Sequence, residues 1–357
     1  MQIHQLHLQN FRNYESLTLD FHPNLNIFLG QNAQGKTNIL ESLYFLALTR
    51  SHRTSHEAEL IKWEAENLAV RAEVEKGYNL VPLELQLNKK KRLAKVNHLT
   101  EKRIADYIGQ LNVVMFAPED LDLIKGAPAQ RRRFLDMEIG QSKSIYLYTL
   151  ARYNRVLRER NAYLKEHSEY FDPIFFDVLD NQFVEFAEKI MEIRSIFVEK
   201  LEKIANQIHQ QLTQNKEVLR IQYLRNSEGN FTENLKLARQ RDLARHQSTI
   251  GPHRDDLQFF INDINVSRFA SQGQQRTVTL SIKLAEIEIL KEETGEYPLL
   301  LLDDVMSELD NTRQLDLLQT AIGKAQTFLT STTLDHLKKL PKEMKIFHIK
   351  AGQIDEA

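Results

Sequence analysis

Residues 30–37 read GQNAQGKT, an unbroken match to G-x-x-x-x-G-K-[ST] set between the apolar run Asn26 to Leu29 and a helical pattern from Thr37 to Leu48. This feature constrains the fold most, because the motif works only as a strand, a tight loop and a helix in that order. Gly30 and Gly35 let the backbone curl so that successive N–H groups converge on phosphate oxygens. Lys36 places a point charge against β- and γ-phosphates, and Thr37 offers a hydroxyl to Mg2+. The helix that starts there adds its positive dipole end. A plain glycine turn before a helix is the competing reading, and the strand and the amphipathic helix (Ile39, Leu40, Leu43, Tyr44, Ala47) on its two sides disfavour it.

A second site-forming segment lies far downstream. Residues 298–310 read PLLLLDDVMSELD, the pattern of a buried parallel strand that delivers two carboxylates at its C-terminal end, where α/β sheets bind ligands. Asp303 is placed to hold Mg2+, and Asp304 to orient or deprotonate an attacking water. The alternative is a helix N-terminus, since Ser307 and Glu308 follow. About 265 residues separate Lys36 from Asp303, far more than a compact P-loop kinase or GTPase needs. Just before the acidic strand, SQGQQR (271–276) opens a predicted helix of about 20 residues. A polar Ser-x-Gly turn at a helix N-terminus is an anion site, and with one phosphate loop already present it would serve a second chain's nucleotide. An ordinary serine cap is the plainer alternative.

The long insertion changes character. From about Gln130 to Leu212 glycine nearly vanishes, and Phe183, Phe186, Ile190, Ile193, Phe197, Leu201, Ile204 and Ile208 step by three or four. With an earlier helix over Ile145 to Lys165 and a break near Asp172-Pro173, this predicts an antiparallel helical hairpin. Residues 125–165 carry ten basic and three acidic side chains, whereas 166–210 carry four and ten, so the two helices are expected to pair and neutralise each other. Strand patterns cover Leu68 to Val74, Leu80 to Leu87, Leu219 to Leu224 and Asp256 to Ile261. No apolar run approaches a transmembrane length, the N-terminus lacks a secretory pattern, and cysteine is absent, which suits a reducing cytoplasm.

Phosphate loop, helical insertion, signature turn, acidic strand and SELD, in that order, resemble the ABC-type ATPase heads of the SMC and DNA-repair class. The blocks LQNFRNYES, FAPEDLDLIKGAPAQRRRFLD (116–136), GPHRDD (251–256) and SQGQQR look more closely like the RecF family of bacterial recombination mediators. The resemblance spans nearly the whole chain. It implies an α/β fold: an ABC-type head (a P-loop NTPase) from residues 1–117 plus 293–357, and a largely helical second lobe over 118–292 carrying a short hairpin arm at about 140–212. It implies ATP and Mg2+ as cofactors and an ATP-dependent homodimer on double-stranded and gapped DNA. It also implies slow, DNA-stimulated ATP hydrolysis and, with RecO and RecR, loading of RecA onto single strands. Carried over by motif, Gly30, Gln31, Asn32, Ala33, Gln34, Gly35, Lys36 and Thr37 would bind the phosphates, Asp303 the metal, and Asp304 would act with Lys36 in catalysis. Ser271, Gln272, Gly273, Gln274 and Gln275 would reach the partner's γ-phosphate, and Ser307, Glu308, Leu309 and Asp310 would form the loop crossing the interface.

The sequence departs from the transporter-type pattern in three places. Asp304 stands where transporters usually have glutamate, and its shorter reach fits slow hydrolysis. No histidine directly follows FLTSTT, so Thr330 or Ser331 would take the switch role, with His336 several residues late. No clear glutamine lies between 112 and 120, leaving Glu119 or Asp120 as substitutes. These departures and the long arm argue against a transporter cassette, while a hairpin of about thirty residues per arm is too short for an SMC tether. A nucleotide-dependent scaffold needs the same dimer and stays open. DNA contacts should be mainly electrostatic. Candidates are Lys89, Lys90, Lys91 and Arg92 at a hairpin tip, the cluster Arg131, Arg132 and Arg133, and Arg152, Arg155, Arg158 and Arg160 with Tyr146, Tyr148, Tyr153 and Tyr163 nearby. A solvated turn, ion pairs within the second lobe and core tyrosines are the respective plain readings.

Overall fold

The structure, a computed structural model, describes residues 1–89, 91–166, 172–305, 324–333 and 343–356. It divides into two compact units, Met1–Asp120 with Lys283–Ala357, and Leu121–Ile282. The first draws on both ends of the chain, and the second is continuous in sequence.

Two six-stranded sheets build the first unit. One is antiparallel, in the order Tyr14–Asp20, Gln2–Phe11, Asn67–Lys76, Asn79–Asn88, Arg92–Val96, Leu99–Thr100. Its Leu6, Leu8, Val70, Leu83 and Leu85 face inward, as their period-two spacing requires. Ile3 is buried too despite its odd spacing from Leu6, because the register with Asn67–Lys76 shifts between Ile3 and Gln5. In the other sheet Leu25–Leu29 lies between Thr327–Ser331 and Met344–Lys350, followed outward by Leu299–Leu302 and Val113–Phe116, all parallel. Gln353–Glu356 closes the opposite edge antiparallel. Leu299, Leu300, Leu301 and Leu302 are fully buried, as a continuous apolar run in a covered parallel sheet must be.

The helix Lys36–Leu48 contacts strands of both sheets. Its sequence suggests one apolar stripe, but Phe45, Leu46 and Leu48 are buried along with Ile39, Leu40 and Leu43. A helix covered by sheets on two sides has no solvent face, so the apolar residues run around it.

The second unit holds the predicted hairpin. Ser144–Glu166 packs on Pro173–Leu212, and the pairs Tyr146–Arg194, Tyr153–Phe183 and Tyr163–Phe176 establish an antiparallel course. Asp172 caps the second helix through its Oδ1, which accepts from the N–H groups of Ile174 and Phe175, and Pro173 sits in the first turn, where its missing N–H costs nothing. The charge contrast between the helices is met in part by a buried pair, Arg160 with Asp180 at 2.8 Å. Arg160 also reaches Asp242 on the helix Phe231–Arg245, so a third element shares in the neutralisation.

Two of the family blocks meet at the base of this arm. Arg131 binds both carboxylate oxygens of Asp256 (2.6 and 3.0 Å), and Arg132 donates to the Asp255 carbonyl at 2.8 Å. Arg194 joins Asp136, the Tyr146 hydroxyl and the Pro252 carbonyl. His253 accepts from the Tyr153 hydroxyl on Nδ1, and its Nε2 donates to the Ser248 carbonyl, so the ring is neutral. Burial pushes its pKa down to about 4. Gly251, at φ +126°, lies where a Cβ would stand 2.8 Å from the Tyr153 hydroxyl oxygen. GPHRDD is therefore a structural clasp on the arm. A three-stranded sheet, Ile264–Asn265, Asp256–Ile261 and Leu219–Leu224, completes the unit.

Candidate nucleotide site

The phosphate loop leaves the central strand Leu25–Leu29 at Gly30, whose N–H donates to the Ser331 carbonyl at 3.2 Å. A Cβ at Gly30 would lie 2.4 Å from the Ile349 carbonyl oxygen on the neighbouring strand, so only glycine fits. Ala33 (φ +64°) and Gly35 (φ +111°) then turn the backbone through the left-handed region. The loop is braced from two sides. The Tyr14 hydroxyl donates to the Gly35 carbonyl at 3.1 Å, and Gly352 N–H donates to the Gln34 carbonyl at 3.2 Å. Ala351 N–H adds a bond to the Gln34 side chain.

Lys36 is almost fully buried, and its Nζ donates to the carbonyls of Gly30 (2.6 Å) and Gln31 (2.9 Å), which holds the ammonium across the loop. Burial lowers its pKa from the usual lysine value, while Asp304 and Asp303 favour the charged form.

The two acidic residues fall at the end of Leu299–Leu302, beside this loop. Asp303 Oδ1 accepts from the hydroxyls of Thr37 (3.0 Å) and Thr330 (2.8 Å). Thr330 Oγ1 in turn accepts from Asp304 N–H at 2.9 Å. Asp304 sits at φ +52°, an uncommon conformation for a residue with a side chain, which turns the chain sharply just past the strand. Burial raises the Asp303 pKa; the two threonine hydroxyls act against this, and Glu119 and Asp304 add to it. The chain from Thr37 through Asp303 and Thr330 to Asp304 joins three strand or helix ends around one point; Ser307 and Glu308, on which the helix-cap alternative rests, lie outside the described residues.

Of the two acids considered near residue 120, Asp120 accepts from Ala117 N–H at 2.8 Å and faces Lys283, a local structural use. Glu119 is exposed and acts electrostatically on Asp303. The donor set of Thr37 hydroxyl and Asp303 carboxylate fits Mg2+, a hard cation that takes one or two protein oxygens beside substrate phosphates.

In the second unit Ser271 caps the helix Gln272–Thr294, with Gln274 N–H donating to Ser271 Oγ (3.2 Å) and Ser271 N–H to Gln274 Oε1 (3.0 Å). Ser271, Gln272 and Gly273 are exposed, while Gln275 is buried and donates to the Val266 carbonyl at 3.2 Å, pointing away from solvent. The plain reading of this turn as a serine cap is thus correct as local structure, and it leaves the turn's outer surface open to a ligand. Ser307, Glu308, Leu309, Asp310 and His336 lie outside the described residues, as does Lys90.

The DNA candidates separate by burial. Arg131 and Arg160 are buried in ion pairs with Asp256 and with Asp180 and Asp242, so neither presents a charge to a duplex, contrary to the expectation from sequence. Arg92 is paired with Glu57 and donates to Thr49, and Arg132 is engaged at the arm base. Tyr146, Tyr153 and Tyr163 are core residues. Lys89, Lys91, Arg152 and Arg158 are exposed, and Arg155 is exposed but bonded to Glu159.

Motif reading missed Arg12, Asn13, Tyr14 and Glu41. Arg12 grips both oxygens of Glu41 (2.7 and 2.8 Å), a fully buried carboxylate in the loop's own helix, and Asn13 bonds Asn38 at 2.7 Å. The signal available was a charged residue in the otherwise apolar run ILESLYFLAL, which demands a partner.

A phosphate loop and acidic strand in a parallel sheet, joined to an antiparallel sheet and a hairpin-bearing insertion, define an ABC-type ATPase head of the SMC class. The family described as RecF/RecN/SMC N terminal domain matches residues 2–355. The DNA replication and repair protein RecF of Lactococcus lactis subsp. cremoris (strain MG1363) is 62% identical over 356 residues, covering 100% of this chain and 99% of that protein. The structure of the recombination mediator protein RecF-ATP in the RecFOR pathway superposes with a TM-score of 0.92 at 33% identity, covering 100% of this chain and 97% of that one. The Smc head domain from Pyrococcus furiosus, at 16% identity and a TM-score of 0.55, shares the fold. The chain belongs to the RecF family of DNA replication and repair proteins.

Proposed function

We propose that this chain is an ATP-operated recombination mediator: two copies close on two ATP molecules, hold double-stranded DNA near a gap, and reopen on slow, DNA-stimulated hydrolysis. The observation that carries this reading is the hydrogen-bonded chain Thr37–Asp303–Thr330–Asp304 at the mouth of the phosphate loop. Gly30 to Thr37 would enclose the phosphates, with Lys36 turned from the loop carbonyls onto the β- and γ-oxygens. Thr37 and Asp303 would hold Mg2+, which when bound would supply positive charge against the charge developing on the phosphates. Asp304 would position the attacking water, with Thr330 fixing it from behind and Glu119 sensing the γ-phosphate. Ser271, Gln272, Gly273 and Gln274 of one copy would complete the other's site, as a helix N-terminus suits an anion.

DNA would be held by phosphate contacts from Lys89, Lys91, Arg152 and Arg158, the exposed cations among the candidates other than Arg155, which is paired with Glu159. RecO, RecR and RecA loading in the cytoplasm follow from family membership, and the relative solved with ATP in the RecFOR pathway supports that assignment. The test is the sedimentation mass of Asp304→Asn with and without ATP, each with and without a mixed-sequence duplex. A dimer only with ATP, tightened by duplex, is expected; a monomer in all four conditions removes the clamp mechanism.

A further inference from the structure

The signature turn is tied to the last turn of the long arm helix by hydrogen bonds that phosphate binding does not use. Gln274 closes the serine cap with its oxygen, which leaves its NH2 group to be placed. That group donates to Glu217 Oε1 at 2.8 Å. The other carboxylate oxygen, Glu217 Oε2, lies 3.1 Å from His209 Nε2. His209 is fully buried in the last turn of Pro173–Leu212, and its Nδ1 lies 3.1 Å from Ser281 Oγ on the signature helix.

Counting protons gives the chain its polarity. The Ser281 hydroxyl donates to the Thr277 carbonyl at 2.7 Å and lies against His209 Nδ1. Nε2 faces the Glu217 carboxylate, which can only accept, so the ring donates to it there. The Gln274 amide has one workable orientation. Flipped, it would set its oxygen against the Glu217 carboxylate and its NH2 against the Ser271 N–H. A charge-assisted bond is about twice as strong as a neutral one, so Glu217 holds this orientation firmly.

We infer that Glu217 is the positioning residue of the signature turn: it sets the Gln274 amide, and through it the Ser271 cap, by reference to the end of the arm helix. Displacement of the arm, for instance by DNA, then changes how well the turn is formed to meet a partner's nucleotide. This rests on the reading that the turn completes the partner's phosphate site.

The test compares full-length Glu217→Ala, Glu217→Gln and Ser271→Arg. Hydrogen exchange over residues 270–276 in protein without ATP reads the turn itself; sedimentation against ATP concentration reads dimerisation; a fluorescent ATP analogue reads the phosphate loop of the monomer. Glu217→Ala is expected to speed exchange about tenfold and to raise the ATP needed for half-maximal dimer about tenfold, equivalent to about 1.4 kcal/mol. Analogue binding by the monomer should not change. Glu217→Gln, whose amide oxygen still accepts from Gln274, should stay within about threefold of wild type on both readouts, given the size of one hydrogen bond to a charged group. Unchanged exchange in Glu217→Ala, or equal damage in both Glu217 variants, overturns the inference. So does faster exchange with normal dimerisation, when Ser271→Arg abolishes the dimer. Normal dimerisation of Ser271→Arg would instead show that the cross-chain reading has failed, and the positioning role with it.

Discussion

Arg160→Met tests whether the arm's basic face is a DNA surface or an internal strut. Arg160 has no exposed surface; its Nε donates to Asp180 at 2.8 Å, its Nη1 to Asp242 and Ser248 at 2.7 Å, and it lies over the Phe176 ring at 4.7 Å. Methionine keeps most of the stem packing and removes the charge together with its hydrogen bonds. Asp180 retains Arg239 at 2.8 Å, whereas Asp242, fully buried, loses its cation and keeps only the Thr249 donors. Breaking one buried pair costs about 3–5 kcal/mol. For a unit of about 160 residues that lowers Tm by roughly 10 °C. Calorimetry should show the drop, and hydrogen exchange should rise first in residues 231–250. Asp242→Asn added to Arg160→Met should recover about half of the loss, because the amide needs no counter-charge. The salt dependence of DNA binding, measured below the transition, should stay as in wild type. A single variant melting within about 2 °C of wild type, or a double variant no better than the single, would refute the strut.

Three further outcomes follow from the site and the clasp. Thr330→Val keeps the shape but removes the hydroxyl joining Asp303 to Asp304, so steady-state kinetics should show kcat down more than about tenfold with little change in KM. His253 is held neutral with a pKa of about 4 against about 6.5 when unfolded, so the unfolded chain takes up the proton first as pH falls. Stability is then full above pH 6.5 and falls by up to about 3 kcal/mol towards pH 4, and denaturant titrations on His253→Asn should lose that slope. Lys89→Ala with Lys91→Ala should reduce the slope of log affinity against log salt by about 1.8 for duplex DNA, with Tm unchanged; an unchanged slope removes the hairpin tip from the footprint.

Local chemistry made the site legible in sequence. A loop that must cradle phosphate admits few residues at 30, 35, 36 and 37, and a buried strand ending in acids admits few readings. Helix and strand positions followed for the same reason, as with Leu219–Leu224 and Asp256–Ile261. What the sequence hid were long-range pairings of charge. Arg131 and Lys89 look alike as text, yet one meets Asp256, 125 positions away, and the other is exposed. Thr330 and Ser331 also look alike as text, and geometry separates them: Thr330 binds the Asp303 carboxylate and the Asp304 N–H, while Ser331 donates to the Thr333 carbonyl.

The strand order of the phosphate-binding sheet has a consequence for how the protein is made. Leu25–Leu29 emerges from the ribosome early, but its neighbours on both sides, Thr327–Ser331 and Met344–Lys350, come from the last tenth of the chain. The segment Leu121–Ile282 is contiguous and rich in local helix contacts, so it can fold while synthesis continues. The phosphate loop must wait. A nascent or truncated chain lacking those final strands would carry an intact GQNAQGKT and an arm already formed, yet bind no nucleotide. The order of translation alone thereby keeps an unfinished copy from taking up nucleotide.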